Sequence, residues 1–210
     1  SESAIQSYKK AIEIKPDFVQ AHNNLGNIYK DLEQSESAIQ SYKKAIEIKP
    51  DFAEAYNNLG IIFNDLKQFN KAINAFEKAI ALNSNFTEAH NNLGNSLRDQ
   101  GQLDRAVKYY EQAINLKPDY YHAHNNLGFG LMGLGEINKA ISCFKTAISL
   151  KPDYAEAHNY LGNAFNILGE IRNGVLCYEK AIEINPDFAE AYNNLGNMFK
   201  KLKERNKAHL

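Results

Sequence analysis

Apolar residues between positions 53 and 86 fall into two stripes at helical spacing. Ala55, Tyr56, Leu59, Ile62, Phe63 and Leu66 form the first, and Phe69, Ala72, Ile73, Phe76, Ala79, Ile80 and Leu82 form the second. Residues three and four apart share a helix face, so each stripe predicts an amphipathic helix. The turn between them is expected around 65–68, where later stretches carry Gly101, Gly135 and Gly169, a residue favoured at helix C-termini. A proline closes the second stripe: Pro16, Pro50, Pro118, Pro152 and Pro186, with Ser84 in its place once. The Asp after the proline predicts an N-cap for the next helix, so that Pro50-Asp51-Phe52 is a stop followed by a start.

The pattern returns every 34 residues without insertion or deletion. Its most recognisable segment is A-Y-N-N-L-G at Ala55 and Ala191, A-H-N-N-L-G at Ala21, Ala89 and Ala123, and A-H-N-Y-L-G at Ala157. A fixed period of this length predicts stacked helix pairs, none of which buries both faces alone. Residues 1–210 are therefore expected to form a single all-α array. Complete repeats run 19–52, 53–86, 87–120, 121–154 and 155–188, with partial repeats at 1–18 and 189–210. Residues 1–18 are identical to 35–52, the mark of an internal duplication, so some repeated residues are copies rather than functional choices. Gly60 lies inside a helix at a cost of about 1 kcal/mol relative to Ala. Close approach of the partner helix, opposite Ala72, is the expected compensation. Gly174 stands where other repeats have Ala38, Ala72, Ala106 and Ala140, so its helix is expected to be weakly protected, and Gly174→Ala to stabilise it where there is room.

Composition narrows the function classes. Lys and Arg total 24 against 25 Asp and Glu, a net charge of -1, so the basic excess of a nucleic-acid binder is missing and no nucleic-acid partner is expected. No apolar run approaches the ~20 residues of a membrane span, and no membrane partner is expected. Cys143 and Cys177 hold equivalent places in adjacent repeats, too far apart to bridge, and free thiols favour a reducing, cytoplasmic setting.

The order small residue, aromatic or His, Leu-Gly, aromatic, then Ala, aromatic, Ala and Pro resembles the tetratricopeptide repeat family. Tyr56, Leu59, Gly60, Phe63, Ala72, Phe76 and Ala79 match it, with Ser84 at the proline place. The usual Trp is His22, Tyr56, His90, His124, His158 or Tyr192 here, and Gly174 departs from the usual Ala. The resemblance implies a right-handed superhelical solenoid of antiparallel helix pairs that binds a peptide or extended protein segment in a concave groove. It implies neither catalysis nor a cofactor. The N-N-L-G wording further resembles the repeat region of O-linked N-acetylglucosamine transferases and Spindly-like proteins, which implies a substrate-selecting role beside a catalytic domain as the alternative. In that family an asparagine before the Leu binds peptide backbone. The matching residues are Asn24, Asn58, Asn92, Asn126 and Asn194, and Tyr160 breaks the series.

On a helical wheel Glu54, Asn57, Asn58, Ile61, Asn64 and Asp65 fall opposite the packing stripe and predict a repeating exposed surface. Asn27, Asn95, Asn163 and Asn197 extend it one turn further. Asparagine is a poor helix former, yet its amide matches a peptide group in donors and acceptor. A row of amides could hold a bound chain by its backbone; the same amides could instead bond one another between repeats. The solvent position beyond them varies (Lys30, Asn64, Arg98, Met132, Asn166, Lys200) while Asn persists in five of six copies, which favours the groove. His122 lies on the same face. The other histidines sit one per repeat at packing positions and are not expected to hold a metal. Gly128–Gly133 fits G-x-G-x-x-G but lies within a helix, without the strand a dinucleotide site needs. The sequon at Asn85 matters only in a secreted protein. The partial repeats at each end, with Ile5, Tyr8 and Ile12 uncovered at the start, predict head-to-tail contact between copies.

Overall fold

The computed structural model describes residues 2–207, and side chains up to residue 203. Among them the chain is all-α. First helices of the repeats are α2 (Val19–Asp31), α4 (Ala53–Asp65), α6 (Thr87–Asp99), α8 (Tyr121–Gly133), α10 (Ala155–Ile167) and α12 (Ala189–Lys207). Second helices are α1 (Glu2–Ile14), α3 (Ser35–Ile48), α5 (Phe69–Leu82), α7 (Leu103–Leu116), α9 (Ile137–Leu150) and α11 (Ile171–Ile184). The chain forms two compact units, 1–102 with α1–α6 and 103–210 with α7–α12. The sequence register runs through the division, which falls between the two helices of repeat 87–120. Within each unit every helix packs on its chain neighbours, and consecutive first helices also touch.

The turn after each second helix is a β-turn with proline in its second place, except after α5, where Ser84 holds it. Phe52 N–H donates to Lys49 C=O at 3.2 Å, and Phe18, Tyr120 and Tyr154 do the same to Lys15, Lys117 and Lys151. The first-place lysine lies over the last-place ring, 5.6 Å from the centroid at Lys49–Phe52. This corrects the expected Asp cap. The N-cap places are Phe18, Phe52, Phe86, Tyr120 and Tyr154, none with a side-chain cap bond, because the aspartate is already committed as the third turn residue. The turn inside each repeat is a Schellman motif. Gln68 N–H reaches Phe63 C=O and Lys67 N–H reaches Asn64 C=O, both at 2.8 Å. Its left-handed residue is Gly101, Gly135 or Gly169 in three repeats, but Glu33 (φ 58°) and Lys67 (φ 56°) in two.

The helix-interior glycines explain the packing, with one correction. A Cβ on Gly60 would lie 2.6 Å from Phe76 Cε1, and Gly26, Gly128 and Gly162 stand in the same relation to Tyr42, Phe144 and Tyr178. The surface opposite the glycine is therefore an aromatic ring, not Ala72. The ring buries completely against a bare backbone, which offsets the helix cost. Alanines 38, 72 and 140 are fully buried at the next contact, where Ala38 clusters with Ile62. Gly174 holds this place opposite Met198, whose Cε would lie 2.5 Å from an added Cβ, with Gly162 C=O at 3.3 Å. The room that Gly174→Ala needs is occupied by the thioether, so small and large residues exchange across one contact.

Candidate functional site

The two places before the Leu of each first helix differ. The first is buried in α2, α4, α6, α8 and α10, where Asn23, Asn57, Asn91, Asn125 and Asn159 are at most 8% exposed, while Asn193 of α12 is exposed. This corrects the expectation that Asn57 lies on an open surface. The second place is half-buried, and Asn58, Asn92 and Asn194 donate backward to the preceding repeat. Asn58 Nδ2 reaches Asn23 Oδ1 at 3.1 Å and Asn27 Oδ1 at 3.2 Å. Asn194 Nδ2 reaches Asn159 Oδ1 at 3.1 Å and Asn163 Oδ1 at 3.2 Å. Asn92 Nδ2 reaches Asn57 Oδ1 at 3.1 Å. The result is a ladder of amides through α2, α4 and α6 in the first unit and a single rung from α12 to α10 in the second. Both Nδ2 protons of Asn58 and of Asn194 are consumed in it, and their Oδ1 atoms accept no bond among the described residues. Asn24 makes no side-chain bond among those residues, Asn197 is exposed, and Asn95 and Asn126 are engaged in interactions of their own.

A second relation controls where the ladder is complete. Tyr42 Oη donates to Asn27 Oδ1 at 2.8 Å and Tyr178 Oη to Asn163 Oδ1 at 2.7 Å. Where the ring is Phe76 or Phe144, which has no hydroxyl, the residue fifteen earlier is apolar: Ile61 and Phe129. Polar and apolar steps thus alternate along the repeats. At the Ile61 step a cleft of about 160 Å³ opens, lined by Ile61, Asn64, Asp65, Phe76, Asn92 and Asn95. At the Phe129 step the space is filled: the Phe129 and Tyr160 rings meet edge-on with centroids 5.2 Å apart, and Phe144 lies 6.0 Å from Tyr160. Tyr160 stands where an asparagine would donate, and Asn125 Oδ1 is buried without a partner. Spacing alone hid these links, although the paired departures Phe129 and Tyr160 were visible in the sequence.

The histidines take a shared role. Nε2 of His22, His124 and His158 donates to the C=O of Pro16, Pro118 and Pro152 at 2.9–3.0 Å, and His90 to Ser84 C=O at 3.0 Å. Each pins its helix to the preceding turn. His122 instead joins an aromatic cluster, 4.0 Å from Tyr121 between ring centroids and 3.3 Å from Tyr154 Oη through Nδ1. Burial, then the Lys151 charge, lower its pKa, against a raising effect from Glu156. Cys143 and Cys177 are free, and burial pushes both thiols up to about 11, so neither is a reactive thiolate at neutral pH. Among the described residues no His, Cys, Asp and Glu group is placed to hold a metal ion, and no helix is long and apolar enough to cross a membrane.

Among curated proteins none matches the chain in sequence. Solved structures do match. YrrB, described as a TPR protein with an unusual peptide-binding site, is 25% identical, covering 90% of this chain and 97% of that one, with a TM-score of 0.70. MamA is 27% identical, covering 82% of this chain and 94% of that one, with a TM-score of 0.69. PilF of Pseudomonas aeruginosa shares the fold at 21% identity and a TM-score of 0.79, covering 91% of this chain and 87% of its own. The TPR repeat profile matches residues 2–33, 26–64, 94–134, 131–169 and 162–203, and tetratricopeptide repeat profiles match 53–86 and 75–108. With its all-α repeats and matches over most of its length, the chain belongs to the TPR repeat family, whose members are protein-interaction modules.

Proposed function

We propose that the first-helix face binds an extended polypeptide segment, with Asn24, Asn58, Asn92, Asn126 and Asn194, and one turn on Asn27, Asn95, Asn163 and Asn197, as the residues that meet it. The observation that carries this reading is the ladder. With both protons of Asn58 and Asn194 spent between repeats, what remains toward a ligand at each of these two places is an amide carbonyl oxygen. Such an oxygen recognises donors, and a polypeptide supplies one backbone N–H per non-proline residue whatever its side chains. The TPR fold is in general a non-catalytic scaffold, which agrees with binding rather than turnover.

The test is calorimetric titration of a peptide selected from a displayed library of unstructured peptides, beside copies N-methylated at alternate backbone positions. Methylation removes donors without altering the protein. Affinity should fall by about fivefold per critical N–H lost, equivalent to roughly 1 kcal/mol. Equal affinity for all copies would show that the amides serve the fold alone. The second reading, the substrate-selecting region of a glycosyltransferase, is favoured by asparagine in five of six copies before the Leu. It requires a glycosyltransferase domain encoded beyond Leu210. Head-to-tail contact between copies is a separate proposal: α1 repeats the sequence of α3 yet has no buried residue, and a Cβ on Gly196 would meet nothing within 4 Å. Sedimentation across a concentration series checks it, and a strict monomer at millimolar protein would rule it out in solution.

A further inference from the structure

The cleft of about 160 Å³ at the Ile61 step has an apolar floor, Ile61 and Phe76, and a rim of Asn64, Asp65, Asn92 and Asn95. The floor suits a run of methylenes. The rim is rich in acceptors: Asn64 Oδ1 already takes the Ser96 hydroxyl at 2.6 Å, and Asp65 is exposed and forms no ion pair among the described residues. Asp65 is also the last residue of α4. Unpaired carbonyls at a helix C-terminus carry partial negative charge, so a carboxylate there opposes the dipole, while a cation gains from both. The fold does not ask for that carboxylate, since α8 and α10 end on Gly133 and Ile167 in the same register. At the same ends of α2, α4 and α6 lie Asp31, Asp65 and Asp99 with Lys30 and Arg98, Lys67 follows in the turn after α4, and Arg98 is held by Asp99, Nη2 to Oδ1 at 2.8 Å.

We propose that this cleft takes a lysine or arginine side chain of the bound segment, with its methylenes against Ile61 and Phe76 and its cationic head on the Asp65 carboxylate. This rests on the reading that the first-helix face binds extended polypeptide. Long basic side chains lay an apolar stem on apolar surface while the head keeps a polar partner, which is the shape and polarity of this cleft. A charge-assisted contact of this kind separates a basic side chain from a neutral one of equal length.

The experiment uses the full chain, immobilised, and pools of acetylated, amidated dodecapeptides with one central residue fixed as Arg, Lys, norleucine or Glu. Wild type should retain the Arg and Lys pools about tenfold over the norleucine pool, with the Glu pool lowest. Asp65→Asn removes the charge at equal size. Ile61→Phe fills the cleft with every charge in place, as Phe129 does in its own repeat. Each variant, melting like wild type, should lose most of the preference. If Ile61→Phe keeps it, the attraction is diffuse surface charge and the cleft assignment is overturned. If wild type retains all four pools alike, the basic-side-chain site is overturned while segment binding stands. If wild type retains no pool, segment binding fails and this site fails with it.

Discussion

The step at Ile61 and the step at Phe129 occupy the same register position in the two units, over rings of the same kind, Phe76 and Phe144. One is an open cleft and the other is filled by two more rings. The difference lies in the step residue, Ile61 or Phe129, and in the next first helix. Asn92 donates to Asn57 and leaves the space beside it empty, while Tyr160 fills the space and leaves Asn125 Oδ1 without a donor. Burying an aromatic ring contributes about 1.5–3 kcal/mol. An unsatisfied buried acceptor costs about 1–3 kcal/mol. The two solutions are nearly even in stability, so what separates them is the surface they present: an acceptor-rimmed cavity in one unit, an aromatic step in the other.

The largest test of that contrast is a matched pair of substitutions. Gly128→Ala pushes a methyl against Phe144, whose ring is backed by Tyr160, itself packed on Phe129, and should cost about 3 kcal/mol. Gly60→Ala meets Phe76 at the same 2.6 Å, but that ring borders the cleft and can yield, so about 1 kcal/mol is expected. Chemical denaturation of both variants checks this, and equal costs would mean that the cleft gives the ring no freedom. Next in size is Asn92→Ala, which leaves Asn57 Oδ1 as unsatisfied as Asn125 Oδ1 with no ring in compensation. A loss of about 2 kcal/mol should appear in the same assay. Such a loss would mean that the amide serves the fold as well as any ligand.

A double-mutant cycle sharpens the comparison from the other side. Phe129→Asn with Tyr160→Asn rebuilds between repeats 121–154 and 155–188 the pair seen at Asn27 and Asn58. The coupling should favour the double variant over the sum of the singles by about 1 kcal/mol, and additivity would show that no ladder bond re-forms. The smallest effect concerns the inner turns. Lys67 holds a left-handed conformation that Gly135 and Gly169 supply in the other unit, so Lys67→Gly should stabilise by about 0.5 kcal/mol, read as a small rise in Tm. A fall would show that the left-handed conformation carries no strain at Lys67 and that the added chain entropy of glycine dominates.

Helix positions, the 34-residue register and the TPR family were fixed by patterns local to each repeat. Apolar residues three and four apart settle a helix and its inner face whatever lies beyond. Glycine at a helix C-terminus and proline in a turn act through their own backbone angles. Other features depend on the neighbouring repeat. Asn57 and Asn58 are adjacent and chemically identical, and a helical wheel places both on the outer side. Which one is buried depends on how the next helix pair stacks, a matter of interhelical geometry rather than helical period. The glycine partner was misassigned for a related reason: Ala72 and Phe76 share one face of α5, and only the packed helices show which lies opposite Gly60. The orphaned acceptor of Asn125 and the cleft at Ile61 belong to the same class, because each is created by a residue about one repeat away, Tyr160 or Asn92. The sequence by itself determined the helices and their repetition, since those follow from contacts three and four residues apart. Only the tertiary structure decided which amide protons are spent and where a cavity remains, because hydrogen bonds and voids belong to contacts between repeats.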